Sequence, residues 1–259
     1  MSSSSLQYHI RLREGDVGKY ILLPGDPGRS KKIASYFDNP KLIAQNREYT
    51  SYTGTLLGEK VSVVSTGIGC PSTAIAVEEL IKIGADTFIR IGTSGAIQEN
   101  IQTGDIAIVS GAIRDEGTTK HYLPIEYPAV ANHEIINAMI EGAESLNIPY
   151  HVGVSHSKDS FFGELEPERM PVNDQLIKRW KSWVDGGAIC SEMEAAAIFI
   201  IASIHHKRAG GVMLMFGHNE PIPDPEQETQ GSMFDVDRAI KVTIEGLKQL
   251  IIRDRNKLR

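Results

Sequence analysis

The chain has 259 residues, 41% of them hydrophobic and 23% charged, and carries a net charge of −6. That balance describes globular material with enough apolar content for one large domain over residues 1–259, with 1–5 expected to be disordered. Its acidic character excludes a protein that grips a nucleic acid polymer or an anionic membrane through a general basic field, so any anion it binds must meet a local pocket.

Tyr20 to Leu23 is a short apolar strand broken by Pro24-Gly-Asp-Pro-Gly28, after which Arg29 to Phe37 has helical spacing. A strand, a glycine turn and a helix start offer backbone donors and Arg29 to an anion, although no Walker lysine pattern makes this a nucleotide loop. A plain turn is the competing reading, because Pro-Gly-Asp is ordinary turn chemistry. Arg47 and Glu48 precede alternating Tyr and Thr residues, and Val61 to Thr66 reads as a strand running into Gly67-Ile-Gly69. Ser72 or Thr73 is then expected to cap a helix with Val77, Leu80 and Ile81 on its apolar stripe.

Phe88, Ile89 and Ile91 predict a buried strand stopped by Gly92. A charge inside such a run is costly without a partner, so Arg90 must meet either a bound anion or an internal Asp or Glu. Gly92-Thr93-Ser94-Gly95 is expected to form a loop whose backbone N–H groups and hydroxyls approach a phosphate.

Further strands are expected at Ile106–Val109, Tyr150–Val154 and Gly211–Phe216, and helices at His133–Leu146, Asp174–Trp183 and Asp235–Ile252. His133-Glu134 lacks the second histidine of a zinc protease motif. Lys158 to Pro171 reads as a loop with aromatic and charged residues together, suited to binding or simply solvated. Trp180 and Trp183 are expected to anchor the following helix to the core. Ser191-Glu-Met-Glu194 leads into an apolar helix from Ala195 to Ile204. Its two glutamates serve as caps or as ligands for hydroxyl groups, and residues two apart are expected to point to different sides.

Cys70 and Cys190 lack CxxC or Cys/His spacing, which argues against a disulfide framework or zinc site and for a reducing, cytoplasmic setting. No apolar run approaches the roughly 20 residues of a membrane span, and the first residues lack the charged and apolar parts of a signal peptide. Strands alternating with helices, with glycine turns after strands, predict an α/β fold whose site lies at strand C-terminal ends.

Pro24-Gly-Asp-Pro27, Ser65-Thr-Gly-Ile-Gly69, Pro71-Ser-Thr73, Arg90-Ile-Gly-Thr93 and Ser191-Glu-Met-Glu-Ala195 occur in that order over nearly the whole chain. Together they resemble the nucleoside phosphorylase family. The resemblance implies a mixed, partly barrel-like central sheet flanked by helices, assembled as a hexamer of three dimers with active sites at the dimer interface. It implies that phosphate meets Gly25, Arg29, Arg90 and Thr93, with Arg47 lent by the neighbouring subunit. Ribose is expected at Thr93, Met193 and Glu194, with His9 from the partner, and the base at Gly95, Phe161, Glu164 and Arg169. Pyrimidine enzymes of the family hold a potassium ion between subunits, whose ligands match Glu48, Ile68 and Ser72.

The implied reaction is phosphorolysis of a nucleoside, uridine first, to the free base and ribose 1-phosphate. A purine or broad-specificity phosphorylase is the alternative, and a non-catalytic nucleoside binder a more distant one. A phosphate oxygen attacks the anomeric carbon as the base leaves, so Arg90 and Glu194 are the expected catalytic pair, with inorganic phosphate as co-substrate and no redox or covalent cofactor. Glu164 departs from the pattern. Uridine enzymes place a glutamine there, which both donates and accepts, whereas an ionised glutamate only accepts. A free carboxylate facing the base would oppose the charge on departing uracil, so Glu164→Gln is expected to raise uridine turnover. The purine branch commonly carries a Ser-Asp pair after the last strand, where this chain has Gly217-His218-Asn219.

Overall fold

The computed structural model describes residues 5–217 and 235–257. Its strands are β1 Tyr20–Pro24, β2 Asp38–Asn46, β3 Tyr49–Leu56, β4 Glu59–Val64, β5 Thr87–Ala96, β6 Ile106–Asp115, β7 Ala129–Val130, β8 Tyr150–Lys158, β9 Cys190–Glu192 and β10 Arg208–Phe216. The helices are α1 Pro27–Ala34, α2 Cys70–Lys82, α3 His133–Ser145, α4 Phe161–Leu165, α5 Asn173–Asp185, α6 Ala195–Ile204 and α7 Asp237–Lys257.

β1 lies parallel to both β4 and β5, and beyond β4 the antiparallel β3 and β2 carry the sheet to an edge. On its other side β5 pairs in parallel with β10 along most of its length and antiparallel with β9. β10 runs antiparallel to β6, β6 parallel to β8, and β8 parallel to β9. Because β10 also returns to β5, these five strands close a ring, and the mixed sheet is a small barrel with an open wing.

Alternation along β5 and β10 sorts the core into two layers. Phe88 and Met213 pack with Val77 and Leu80 of α2 and with Ile198 and Phe199 of α6. Ile89, Ile91, Val212 and Leu214 pack instead with Ile33 of α1, Ile135 and Met139 of α3, and Ile240 and Leu247 of α7. Helix α6 is apolar all round because it is covered all round, with eight of its ten residues buried. Each fully buried Ile or Phe is worth about 1.5–3 kcal/mol, so these layers hold the strand ends in place. Helices α3 and α7 cross at Gly142 and Gly246, where a Cβ on Gly142 would lie 2.5 Å from the Val242 carbonyl oxygen.

Several boundaries differ from expectation. The segment Gly92–Gly95 is strand, not loop, because β10 and β9 supply ladder partners on either side. A Cβ on Gly92 would approach Met213 Sδ to 2.6 Å, so glycine there serves close packing. Helix α2 begins at Cys70 after Gly69 at φ 99°, without a side-chain cap; Ser72 Oγ donates back to the Gly69 carbonyl at 3.3 Å. β6 and β8 run on to Asp115 and Lys158, and the expected loop that follows contains α4 and a 3₁₀ turn at Pro167–Arg169. No residue of α5 is buried, so Trp180 and Trp183 do not anchor it to the core; their rings lie 6.0 and 5.9 Å from that of His156.

Candidate active site

Arg90 is buried at the centre of the constellation. Its Nε donates to Glu192 Oε2 at 2.8 Å, and Nη2 pairs with Glu194. The third edge, Nη1, faces the turn after β1: a Cβ on Gly25 would stand 4.0 Å from it and 3.3 Å from the Gly67 carbonyl oxygen. Two carboxylates therefore aim a planar fork whose remaining donor points into a glycine-walled corner. Burial works against the Arg90 charge, but Glu194 and Glu192 outweigh it and hold its pKa above the ordinary value. Burial pushes Glu194 the other way, upward, and Glu192 adds to the rise although Arg90 opposes it.

The two glutamates reach one guanidinium because they do not share a helix. Glu192 ends β9, where Oε2 accepts from the backbone N–H of Glu194 and Ala195 at 2.8 Å each, capping α6. Ser157 donates to its other oxygen. Glu194 precedes the first turn, and its Oε1 accepts from Gly69 N–H at 2.6 Å, tying the β4–α2 turn to β9. The expected divergence of these side chains assumed a common helix and is corrected. The internal partner considered for Arg90 is likewise present, supplied by both carboxylates.

A second group lies at the ends of β8 and β9. Lys158 Nζ donates to Ser191 Oγ at 2.7 Å and pairs with Glu164 at 2.9 Å, while Ser191 Oγ donates to Glu164. His156 places Nδ1 3.3 Å from Glu164 and Nε2 2.9 Å from Asp115, which Arg179 also meets. Burial raises the Glu164 pKa, but the hydrogen bond from His156 and the charge of Lys158 more than reverse this and hold it below the usual glutamate value. Asp115, His156, Lys158 and Glu164 line a cavity of about 540 Å³ walled by Leu165, Leu176, Trp180 and Trp183.

Glu164 is thus a paired, charge-compensated group, so the gain expected from Glu164→Gln loses its premise. Arg169 does not reach it: its side chain is 70% exposed and pairs with Glu166 one turn away. Phe161 stays at the site, 42% exposed, with Lys158 Nζ 5.8 Å from its ring centroid. Thr93 and Gly95 lie two apart on β5, half-buried and exposed respectively, and Met193 is half-buried between the two glutamates. Arg29, in the first turn of α1, keeps its Nε 3.9 Å from Asp26.

Arg47 and Glu48 form the tip of the β2–β3 hairpin, with Arg47 in the left-handed region at φ 53°. Asn46 donates to the His9 carbonyl at 2.6 Å, and Glu79 holds His9 Nδ1 at 2.7 Å. Among the described residues neither Arg47 nor His9 makes a hydrogen bond or ion pair to the Arg90 group. The Gly67 turn gathers Glu48, Ile68 and Ser72: a Cβ on Gly67 would lie 2.8 Å from Glu48 Cγ and 3.3 Å from Ser72 Oγ. The Ile68 side chain is 77% exposed beside them. His218 and Asn219 lie outside the described residues.

Sequence reasoning missed Glu192 as an Arg90 partner and His156 altogether, and it noted Lys158 and Ser191 only as the first residues of the Lys158–Pro171 and Ser191–Glu194 segments, with no role of their own. No alternation marks His156 and Lys158, because Ser155 and Ser157 are polar as well; the strand continues through this run only because β6 and β9 pair with it. Cys70 and Cys190 are buried free thiols. No helix of the described residues is long and apolar enough to cross a membrane.

An arginine fork, a glycine corner and a carboxylate at converging strand ends suit transfer of a sugar to an oxyanion, and similarity to known proteins agrees with that chemistry. A family model described as the phosphorylase superfamily matches residues 19–251. The uridine phosphorylase of Treponema pallidum is 45% identical over 252 residues, 97% of each chain. That of Thermococcus kodakarensis is 48% identical over 221 residues, 84% of this chain and 79% of its own. A guanosine phosphorylase of Halorubrum lacusprofundi is 38% identical, covering 94% and 99%. With a match over most of its length and relatives of this identity, the chain belongs to the phosphorylase superfamily.

Proposed function

We propose that this chain catalyses the phosphate-dependent cleavage of uridine to uracil and ribose 1-phosphate. The observation that carries the reading is the Arg90 fork, aimed by Glu192 and Glu194 at the Gly25–Gly67 corner, in a chain whose relatives include uridine phosphorylases. Phosphate bound by Nη1, the Gly25 turn, Arg29 and Thr93 would present one oxygen to the anomeric carbon. As the base leaves, positive charge grows on the sugar, and Glu194, against the ribose hydroxyls, would orient the sugar and favour that charge. Gly95 and Phe161 would line the base.

Arg47 and His9 would act from a second copy, as the family resemblance implies; that the hairpin tip and the N-terminal segment are held together through Asn46 and Glu79 supports a shared role. A hexamer built from such dimers follows from the family resemblance. Glu48, the Ile68 carbonyl and Ser72 Oγ are hard oxygen donors that would hold a potassium ion and steady the same turn.

A second reading is favoured by one observation. The Glu164 carboxylate accepts only, and guanine offers two adjacent N–H donors, so a guanosine phosphorylase is consistent with both this residue and the Halorubrum lacusprofundi relative. Turnover of uridine, thymidine, inosine, guanosine and adenosine with and without phosphate tests both. Uridine cleavage that requires phosphate is expected; preference for guanosine would favour the second reading, and absence of phosphate-dependent turnover would leave a binding protein.

A further inference from the structure

We propose that Lys158 is the residue that stabilises the departing base, with Glu164 and Ser191 as its positioning residues, an inference that rests on the phosphorolysis reading above. Strand pairing carries the first step. Gly95 stands opposite Ser191 across β5 and β9, so the two share one face of the sheet. Ser191 is in register with His156 of β8, and Lys158, two residues further on, returns to that face. There Gly95 leaves open space where a Cβ would lie. The Lys158 ammonium is therefore buried at the margin of the space over Gly95, beside the Phe161 ring.

Its bonds set what it can do. Among the described residues, Ser191 and Glu164 take two of its three N–H directions, at 2.7 and 2.9 Å, which leaves the third for a carbonyl oxygen. Arg169, the donor implied by family resemblance, is turned outward to Glu166. As the phosphate oxygen forms its bond to the anomeric carbon, the electron pair of the glycosidic bond leaves with the base and spreads onto its carbonyl oxygens. Lys158 donates a hydrogen bond to one of these without giving up its proton, and the released base anion takes its proton from water. Glu164 keeps the ammonium in place and offsets its charge in the ground state. A glutamate in this position is then compatible with a pyrimidine leaving group.

Phosphorolysis of uridine and of 5-fluorouridine at saturating phosphate separates this role from a structural one, because fluorine already stabilises the base anion. In Lys158→Met, kcat for uridine is expected to fall about 10²–10³-fold, as for loss of one preorganised donor, and kcat for 5-fluorouridine about tenfold less than that. The phosphate KM should stay within about threefold, since Arg90 is untouched. Lys158→Met removes the ammonium from a buried carboxylate that keeps only Ser191 and His156 as partners, so the same measurements are made on the double variant Lys158→Met/Glu164→Gln, which removes both charges. The selective loss on uridine is expected there too. Equal losses on the two substrates, or uridine turnover within about threefold of wild type in the double variant, would overturn the role of Lys158 while leaving the phosphorolysis reading intact. A wild-type protein that turns over no nucleoside with phosphate would overturn both.

Discussion

Arg90 sits between two buried carboxylates, and that arrangement changes what its removal should do. Arg90→Ala would leave Glu192 and Glu194 in the interior without their counter-charge, a loss of about 3–5 kcal/mol, so an inactive protein would say little about phosphate. Arg90→Lys keeps the charge but cannot fork to two carboxylates and a phosphate at once. That variant is expected to fold, with uridine phosphorolysis reduced about 10²–10³-fold and the phosphate KM raised. Normal phosphate dependence in a folded Arg90→Lys protein would remove the residue from the phosphate site. Glu164 offers a test through stability. Its folded pKa lies below the unfolded value, so the unfolded chain takes up the proton first as pH falls. The stabilisation is present above the unfolded carboxylate range and is lost as pH drops through the folded value. In urea titrations the advantage of wild type over Glu164→Gln should therefore shrink as pH falls from neutral through and below the usual glutamate range. A gap that stayed constant would mean the carboxylate gains nothing from Lys158 and His156.

At the scale of elements, the site exists because three short segments end together. β9 has only three residues, yet its end caps α6 through Glu192, aims Arg90, and presents Ser191 to Lys158. The Gly69 turn before α2 is tied to the same place by Glu194. Helices α3 and α7 contribute no site residue, and their contact tests packing alone. A Cβ on Gly142 would meet the Val242 carbonyl oxygen at 2.5 Å and Gly246 N at 2.7 Å, backbone atoms that move only if the helices separate. Gly142→Ala is expected to cost about 1–3 kcal/mol, visible as a lower urea midpoint with unchanged kcat in the folded fraction. An unchanged midpoint would show that the helix pair adjusts freely.

For the whole molecule, the open wing β1–β4–β3–β2 ends in the hairpin that carries Arg47 and Glu48, with His9 fastened beside it. If this tip completes a neighbour's site, activity belongs to the assembly rather than the chain. Mixed Arg47→Ala and Arg90→Lys subunits should then recover activity that neither has alone, because some interfaces pair an intact Arg90 with an intact Arg47. Absence of recovery after demonstrated subunit exchange would count against shared sites.

What the sequence determined by itself is local. The apolar strand runs, the fully apolar α6, the amphipathic α7 and the glycine turns at strand ends are legible because periodicity and turn chemistry act over a few residues. Arg90 was also legible as a charge that must have a partner, since burial makes an unpaired guanidinium untenable. Which partner it takes was decided by tertiary structure, because Glu192 lies about a hundred residues away and reaches it only when β9 pairs beside β5. The same holds for Lys158, Ser191 and Glu164, whose contacts depend on the lateral register of β8 and β9. Arg169 shows the reverse, a residue suggested by position in a family pattern that a local turn sends outward to Glu166. Side-chain chemistry sets what each group needs, and the lateral order of strands sets who supplies it.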